Sequence, residues 1–457
     1  MEKLSSQDAG FLKIESAHCP FHVAGLLILK KPVDAPRNYL RQLVRKCGRL
    51  NEIWPVYNKK LKDPDDLANA AWVPADDYTP ERHVFFYSLP EPGRMQDLLV
   101  LVTRAHERPL DRYRPLWETH IIDGLSGDRF ALYCKVHHSL VDGVGAMKMI
   151  QSLFSTSPRA KLDVAGLQDT LAGHHASHSL FHELGDLARN LMDQSRALPE
   201  VSGLLAHMGL DALLGKKNTM RLPFTAPRTI FNGEVDSRRG IGVCDLPLNA
   251  VRRMARQAGG SINDVLLAVC GGALRRYLLE QDALPRRSLV AGMPVSLKSE
   301  GEGSGNRLSY ILSPYFTDET DDLRRLERVI EVTTEAKARL AGMSPTAAED
   351  FYALVMGPAI VLTVTGNATR VPPVINAIFS NVPGSRDKLY LEGAELEALY
   401  PLSIITDAMG LNITVVSHAG KLCFGIASCP TDQPGIEQLG RLIKESYRDL
   451  QAALRHA

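Results

Sequence analysis

The sequence of 457 residues predicts an α/β fold in two halves. Three observations carry that prediction. Short β-rich runs alternate with stretches of helical apolar spacing at both ends of the chain. Between about Ser157 and Phe231 the pattern weakens, with Arg, Lys, Ser and Pro interrupting short helical pieces, which reads as a long crossover. The length suits two domains or more, each able to bury its own core. The expected division is a first domain at 1–156, a crossover at 157–235 and a second domain at 236–457.

In the first half, a strand from His22 to Lys30 precedes a helical stretch from Pro36 to Cys47. The turn signal Ser126-Gly127-Asp128 separates His120-Ile121-Ile122 from the β-rich run Phe130 to Val136, so a hairpin is expected. Beyond Gly143, the residues Val144, Met147, Ile150, Leu153 and Phe154 recur at helical spacing. Residues 137–142 are then a strand-to-helix connection held by rigid elements on both sides. The second half begins with a strand near Gly240, helices Leu248 to Gln257 and Ser261 to Leu278, and a strand Ser288 to Pro294. An amphipathic helix follows from Asp321 to Leu340, with Leu323, Leu326, Val329 and Ile330 set against charged residues. Strands are expected at Ala377 to Val382, Leu396 to Ile405, Leu411 to Ser417 and Leu422 to Ala427, with Ala419-Gly420 as a hairpin turn, before a closing helix Gly435 to Leu454.

A formal charge of +1 and the lack of a long basic tract argue against a dedicated nucleic-acid binder. Arg238-Arg239, Arg252-Arg253 and Arg275-Arg276 could meet phosphates, but solvated helix faces are the simpler account. The seven cysteines lack metal or redox spacing, which suits reduced, mostly buried thiols in a cytoplasmic protein. Charges at Glu2 and Lys3 and the lack of an apolar run argue against a signal peptide. No segment reaches the ~18 apolar residues of a spanning helix. The nearest, Phe351 to Thr365, is broken by Gly357-Pro358 and reads by default as core, with an acyl-lining or membrane-surface role as the alternatives. His174, His175, His178 and His182, near Glu183 and Asp186, match no recognised ligand motif; a solvated helix is the expectation, and no metal site.

The chemistry concentrates at His137-His138-Ser139-Leu140-Val141-Asp142-Gly143. Adjacent residues at a strand end point to opposite sides, so one histidine should be packed and the other presented. An imidazole with an unperturbed pKa of about 6.5 can take a proton from an alcohol or thiol near neutral pH. Asp142 could orient the loop through a charged hydrogen bond. Two satisfied histidines in a turn is the bland alternative, and Asp142-Gly143 at this offset weighs against it.

This run resembles the HHxxxDG signature of CoA-dependent acyltransferases, which include chloramphenicol acetyltransferase and peptide-synthetase condensation domains. Pro115-Leu116-Trp117, Ser261-Ile262-Asn263-Asp264-Val265, Gly305-Asn306-Arg307 and Ser380-Asn381-Val382-Pro383-Gly384 are similar, in order and spacing, to segments of the bacterial wax ester synthase/diacylglycerol acyltransferases. The opening Leu4-Ser5-Ser6-Gln7-Asp8 and the late Leu411-Asn412-Ile413-Thr414 extend the resemblance over nearly the whole chain. Ser385 departs from it, standing where the family commonly has a further Pro.

The resemblance implies two similar chloramphenicol-acetyltransferase-like α/β domains with mixed sheets and an active-site tunnel at their interface. It implies transfer of a fatty acyl group from acyl-CoA to a long-chain alcohol or diacylglycerol, with acyl-CoA a substrate and no cofactor. His138 would be the base, His137 its neighbour, Asp142 a structural residue paired with an arginine, and Gly143 the residue that keeps the approach open. Asn263 is a candidate donor to the thioester oxygen, while Asp264 completes a capping-box pattern with Ser261. The lipid acceptors imply peripheral association with the inner face of the membrane or with lipid inclusions. Competing readings are a condensation-type enzyme acting on an amine or carrier-bound substrate, a non-catalytic lipid-binding scaffold, and a metal hydrolase built on the crossover histidines. The oligomeric state is not legible in the sequence.

Overall fold

The computed structural model describes residues 2–4, 6–67, 70–141, 143–162, 206–210, 214, 216, 219–297, 307–343 and 345–456. Two compact units emerge, and neither is continuous in sequence. The first comprises Met1–Ser179, Val382–Ile404 and Val415–Gly425; the second comprises Leu180–Asn381, Ile405–Thr414 and Ile426–Ala457. The first unit therefore takes in returning segments that the linear division at 156 and 235 assigns elsewhere. The reason is strand pairing: Ala394–Leu402 runs antiparallel to His22–Lys30, with Leu399 opposite Leu27.

The first unit is built on a six-stranded sheet in the order Tyr390–Leu391, Ala394–Leu402, His22–Lys30, Arg129–His137, Trp117–Leu125, Val84–Ser88. All its pairings are antiparallel except that of Val84–Ser88 with Trp117–Leu125, so the sheet is mixed. The predicted hairpin is present, with Asp128 and Gly127 at positive φ in its turn, where the left-handed backbone favours Gly and Asp. His22–Lys30 is buried at nearly every position, as expected of a strand covered on both faces. Its core includes Leu27, Leu29, Leu116, Trp117, Phe130, Leu132 and Met147. Each large aliphatic or aromatic side chain sequestered this way contributes roughly 1.5–3 kcal/mol.

Another six-stranded sheet has the order Arg307–Pro314, Val290–Leu297, Ala377–Val382, Leu411–His418, Lys421–Ser428, Gly240–Pro247. It too is mixed, because Ala377–Val382 runs parallel to Val290–Leu297 while Arg307–Pro314 runs antiparallel to it. The helix Ile262–Glu280 is buried along nearly its whole length, which suits a sequence with apolar residues all round. Gly271 lets it approach closely, since a Cβ there would lie 2.1 Å from the Tyr315 carbonyl oxygen.

His22–Lys30, Leu248–Gln257 and Ala377–Val382 match their expected bounds at both ends, and the other expected elements lie within a few residues. The helix Met95–Glu107, the strands Val84–Ser88 and Arg307–Pro314 and a three-stranded sheet of Glu2–Lys3, Ala71–Pro74 and Lys59–Leu61 lie beyond the sequence reading. The apolar stretch 351–365 differs from expectation: one helix, Pro345–Val364, continues through Pro358. It is not wholly core, for Phe351 and Val355 are buried while Leu354, Val361 and Val364 are exposed. Among the described residues, no helix is long and apolar enough to cross a membrane. All seven cysteines are free, and six of them are buried.

Candidate active site

The strand Arg129–His137 ends in the first of the paired histidines, with His137 directly opposite His22 on the neighbouring strand. The Leu116 carbonyl accepts the His137 backbone N–H at 2.9 Å, and the Phe21 carbonyl accepts that of His138 at 2.9 Å. Leu140 N then donates to His137 O, closing the turn that leaves the sheet. The two imidazoles consequently part: His137 is fully buried, whereas His138 is half-buried with its ring 4.7 Å from that of Phe11. One is packed and one is presented, as strand alternation requires.

The state of His137 follows from its partners. Its Nδ1 accepts the backbone N–H of Ser139 at 3.1 Å, with Ser139 Oγ 2.7 Å away. A backbone N–H can only donate, so Nδ1 carries no proton and the imidazole is the neutral Nε2–H tautomer. That Nε2 faces Glu15 Oε1 at 3.4 Å. Glu15 Oε1 also accepts Phe21 N–H at 2.9 Å, and Oε2 accepts Arg112 Nε and Nη2 at 3.1 and 3.0 Å. Burial pushes the Glu15 carboxyl up, but His137, the Phe21 N–H and Arg112 outweigh it and hold it below its usual range.

A second buried cluster supports the same strand. Lys135 Nζ, its side chain fully buried, lies 3.0 Å from Glu118 Oε2 and donates to the carbonyls of Ala105 and Arg108 at 3.0 and 2.9 Å. Burial pushes the Lys135 ammonium below its ordinary value even with Glu118 beside it. For Glu118 burial acts upward, yet the His120 hydrogen bond and Lys135 outweigh it and bring the carboxyl to about 2. A carboxyl lowered on folding stabilises the fold above its unfolded value, near 4.5, and that stabilisation disappears as the pH falls through about 2. The contribution is on the order of 3 kcal/mol. Denaturant midpoints between pH 5 and pH 2 should thus fall less steeply for Glu118→Gln than for the native chain; equal slopes would refute this assignment. Nearby, His22 Nε2 donates to the His106 carbonyl, and His106 Nδ1 bonds Tyr133 Oη at 2.8 Å.

The remaining candidates fall in two places. Pro115, Leu116 and Trp117 lie beside the histidines in the first unit. Leu116 supplies the carbonyl that ends the strand, and Trp117, buried, stacks on Tyr57 and His83 with centroids at 4.5 and 4.8 Å. In the second unit Asn381 Nδ2 donates to Asn263 Oδ1 at 2.6 Å, and Ser380 precedes it on the strand Ala377–Val382. Asp264 caps the helix Ile262–Glu280, accepting Ser261 N–H at 2.7 Å and the Thr333 hydroxyl at 2.7 Å. Asp142, Gly305, Asn306 and His174, His175, His178 and His182 lie outside the described residues; Gly143 opens the helix Gly143–Ser152. Among the described residues no His, Cys, Asp and Glu group could hold a metal ion.

Ser385, the departure from the family pattern, makes its own turn by accepting Asp387 N–H and donating to the Asp387 carbonyl. Of the arginine pairs, Arg238 is engaged by Asp236, Arg275 by the Thr317 carbonyl and Arg276 by Asp449, as structural residues would be. Sequence reasoning missed Glu15, Arg112 and Glu118. A lysine inside the apolar run Phe130 to Val136 was the signal that a buried acid had to stand opposite.

Two mixed sheets, with the paired histidines at a strand end, define a fold shared with the condensation domains of peptide synthetases. The first condensation domain of the calcium-dependent antibiotic synthetase superposes with a TM-score of 0.57 at 16% identity, over 99% of this chain and 96% of that one. A nearer likeness is the wax ester synthase/diacylglycerol acyltransferase from Marinobacter aquaeolei VT8, with a TM-score of 0.79 and 30% identity over 100% of both chains. The wax ester synthase/diacylglycerol acyltransferase catalytic domain matches residues 4–266, and the WS/DGAT C-terminal domain matches residues 304–451. A probable diacylglycerol O-acyltransferase of Mycobacterium tuberculosis is 35% identical over 99% of this chain and 100% of its own length. The O-acyltransferase WSD of Acinetobacter baylyi is 33% identical over 98% of this chain and 96% of its own. The chain belongs to the wax ester synthase/diacylglycerol acyltransferase family of O-acyltransferases.

Proposed function

We propose that this chain transfers a long-chain fatty acyl group from acyl-CoA to the hydroxyl of a fatty alcohol or of diacylglycerol, with His138 as general base. The observation that carries the reading is the unequal state of the two histidines: His137 is buried with Nδ1 already occupied, and His138 is half-buried. The His138 imidazole takes the hydroxyl proton as the alcohol oxygen attacks the thioester carbonyl. The tetrahedral intermediate then collapses, the C–S bond breaks, and the proton passes from His138 to the departing CoA thiolate. The acyl group moves directly, so no covalent acyl-enzyme and no further cofactor enter the scheme. The side-chain amide of Asn263, which Asn381 orients, is proposed as a donor to the thioester oxygen.

Lipid acceptors reside in a bilayer or lipid inclusion, and we place the protein peripherally on such a surface on the cytoplasmic side. Leu354, Val361 and Val364 on the helix Pro345–Val364, at 37%, 58% and 53% exposure, support a contact of that kind. The test of the activity is CoA release from palmitoyl-CoA with hexadecanol or dipalmitoylglycerol as acceptor. Acceptor-dependent release is expected, and its ratio names the preferred acceptor. Release with neither acceptor, but turnover with an amine or carrier-bound thioester, would replace this reading with a condensation-type one.

A further inference from the structure

We propose that Glu15 is a positioning residue that sets both histidines through one buried carboxylate, an inference that rests on His138 being the base. Four N–H groups converge on it. Oε1 takes the Phe21 N–H and faces the Nε2–H of His137, while Oε2 takes both prongs of Arg112. Phe21 in turn accepts the His138 backbone N–H, so a single residue separates the carboxylate from the backbone of the base. Arg112 Nη2 also donates to the Leu12 carbonyl at 2.7 Å, on the helix Ser6–Ile14. That helix carries Phe11, whose ring lies against His138. The knot thus ties together three parts of the His138 surroundings: its backbone, its aromatic neighbour and the adjacent histidine.

The chemistry calls for a carboxylate. Every group aimed at Glu15 is a donor, and an ionised carboxylate is acceptor-only on both oxygens. A glutamine of the same shape offers a single acceptor oxygen and turns an NH₂ toward either Arg112 or the pair formed by Phe21 N–H and His137 Nε2–H. One side of the knot must then open. With His137 no longer held, the strand end can shift, and small displacements of a catalytic group are costly in rate. Glu15 touches neither substrate nor the reacting atoms in this account; it acts through His137 and Phe21.

The test compares Glu15→Gln in the native chain and in a His138→Ala background, measuring kcat, the KM for palmitoyl-CoA and the melting temperature. For folded Glu15→Gln, kcat is expected to fall on the order of tenfold with KM within about twofold, and the residual rate in the His138→Ala background to change by less than about twofold. A native kcat in folded Glu15→Gln would overturn the proposal. So would an equal fall in both backgrounds, since a merely structural loss would not depend on the base. If His138→Ala alone leaves turnover intact, the base assignment fails, whatever Glu15→Gln does. Should Glu15→Gln not fold, Arg112→Lys removes the two-pronged clamp while keeping its charge. A kcat reduced about threefold or more at constant KM then supports the proposal, and a native kcat overturns it.

Discussion

Replacing His138 with alanine is expected to reduce acceptor-dependent CoA release by about 10²- to 10⁴-fold, the range a general base supplies, with little change in melting temperature. The ring is half-buried and packs on Phe11 at the edge of the hairpin, so its loss opens no enclosed core cavity. His137→Ala should behave in the opposite manner. That ring is fully enclosed, and its removal takes one donor from the buried Glu15 carboxylate and the acceptor from the Ser139 N–H. A stability loss of about 2–5 kcal/mol is expected, combining a cavity with unsatisfied polar groups. Steady-state CoA release and denaturant midpoints for the two variants separate the roles. Native turnover in His138→Ala would sink the assignment. A His137→Ala variant as stable as native would remove the reason for calling that histidine structural.

Lys135→Met should cost about 3–5 kcal/mol of folding stability, the usual penalty for breaking a buried ion pair from one side. The methionine fills most of the space but donates nothing. Glu118 would keep only His120, and the carbonyls of Ala105 and Arg108 would lose a donor. Pairing the change with Glu118→Gln should restore part of the loss, because the uncompensated charge is then gone. Guanidinium midpoints for the two single variants and the double variant give the coupling. A Lys135→Met loss below about 1 kcal/mol would place the ammonium in water and not in the core.

The local parts of this fold were legible because their signals are local. The β-rich run from Phe130 to Val136, the turn at Ser126-Gly127-Asp128 and the apolar spacing after Gly143 each involve residues within a turn or two of one another, and the structure has the hairpin and helix where they point. Ser261 and Asp264 likewise form the capping box that their spacing predicts, which identifies Asp264 as a helix cap. Val84–Ser88 was harder to see. It is a short edge strand with no partner close in sequence, paired parallel to Trp117–Leu125.

The amino-acid sequence by itself determined the family, the helices and strands whose signals are local, and the placing of two adjacent histidines at a strand end, where the pleat must send them apart. Only the tertiary structure decided which one is buried. Burial of His137 depends on Glu15, which lies 122 residues away in the chain, and its tautomer on the direction of a Ser139 N–H. The tertiary structure also decided that Ala394–Leu402 completes the first sheet beside His22–Lys30. Periodicity states which face of an element is apolar; it carries no information on which distant element will cover that face, and hydrogen bonds of a buried carboxylate exist only once the donors have been brought together.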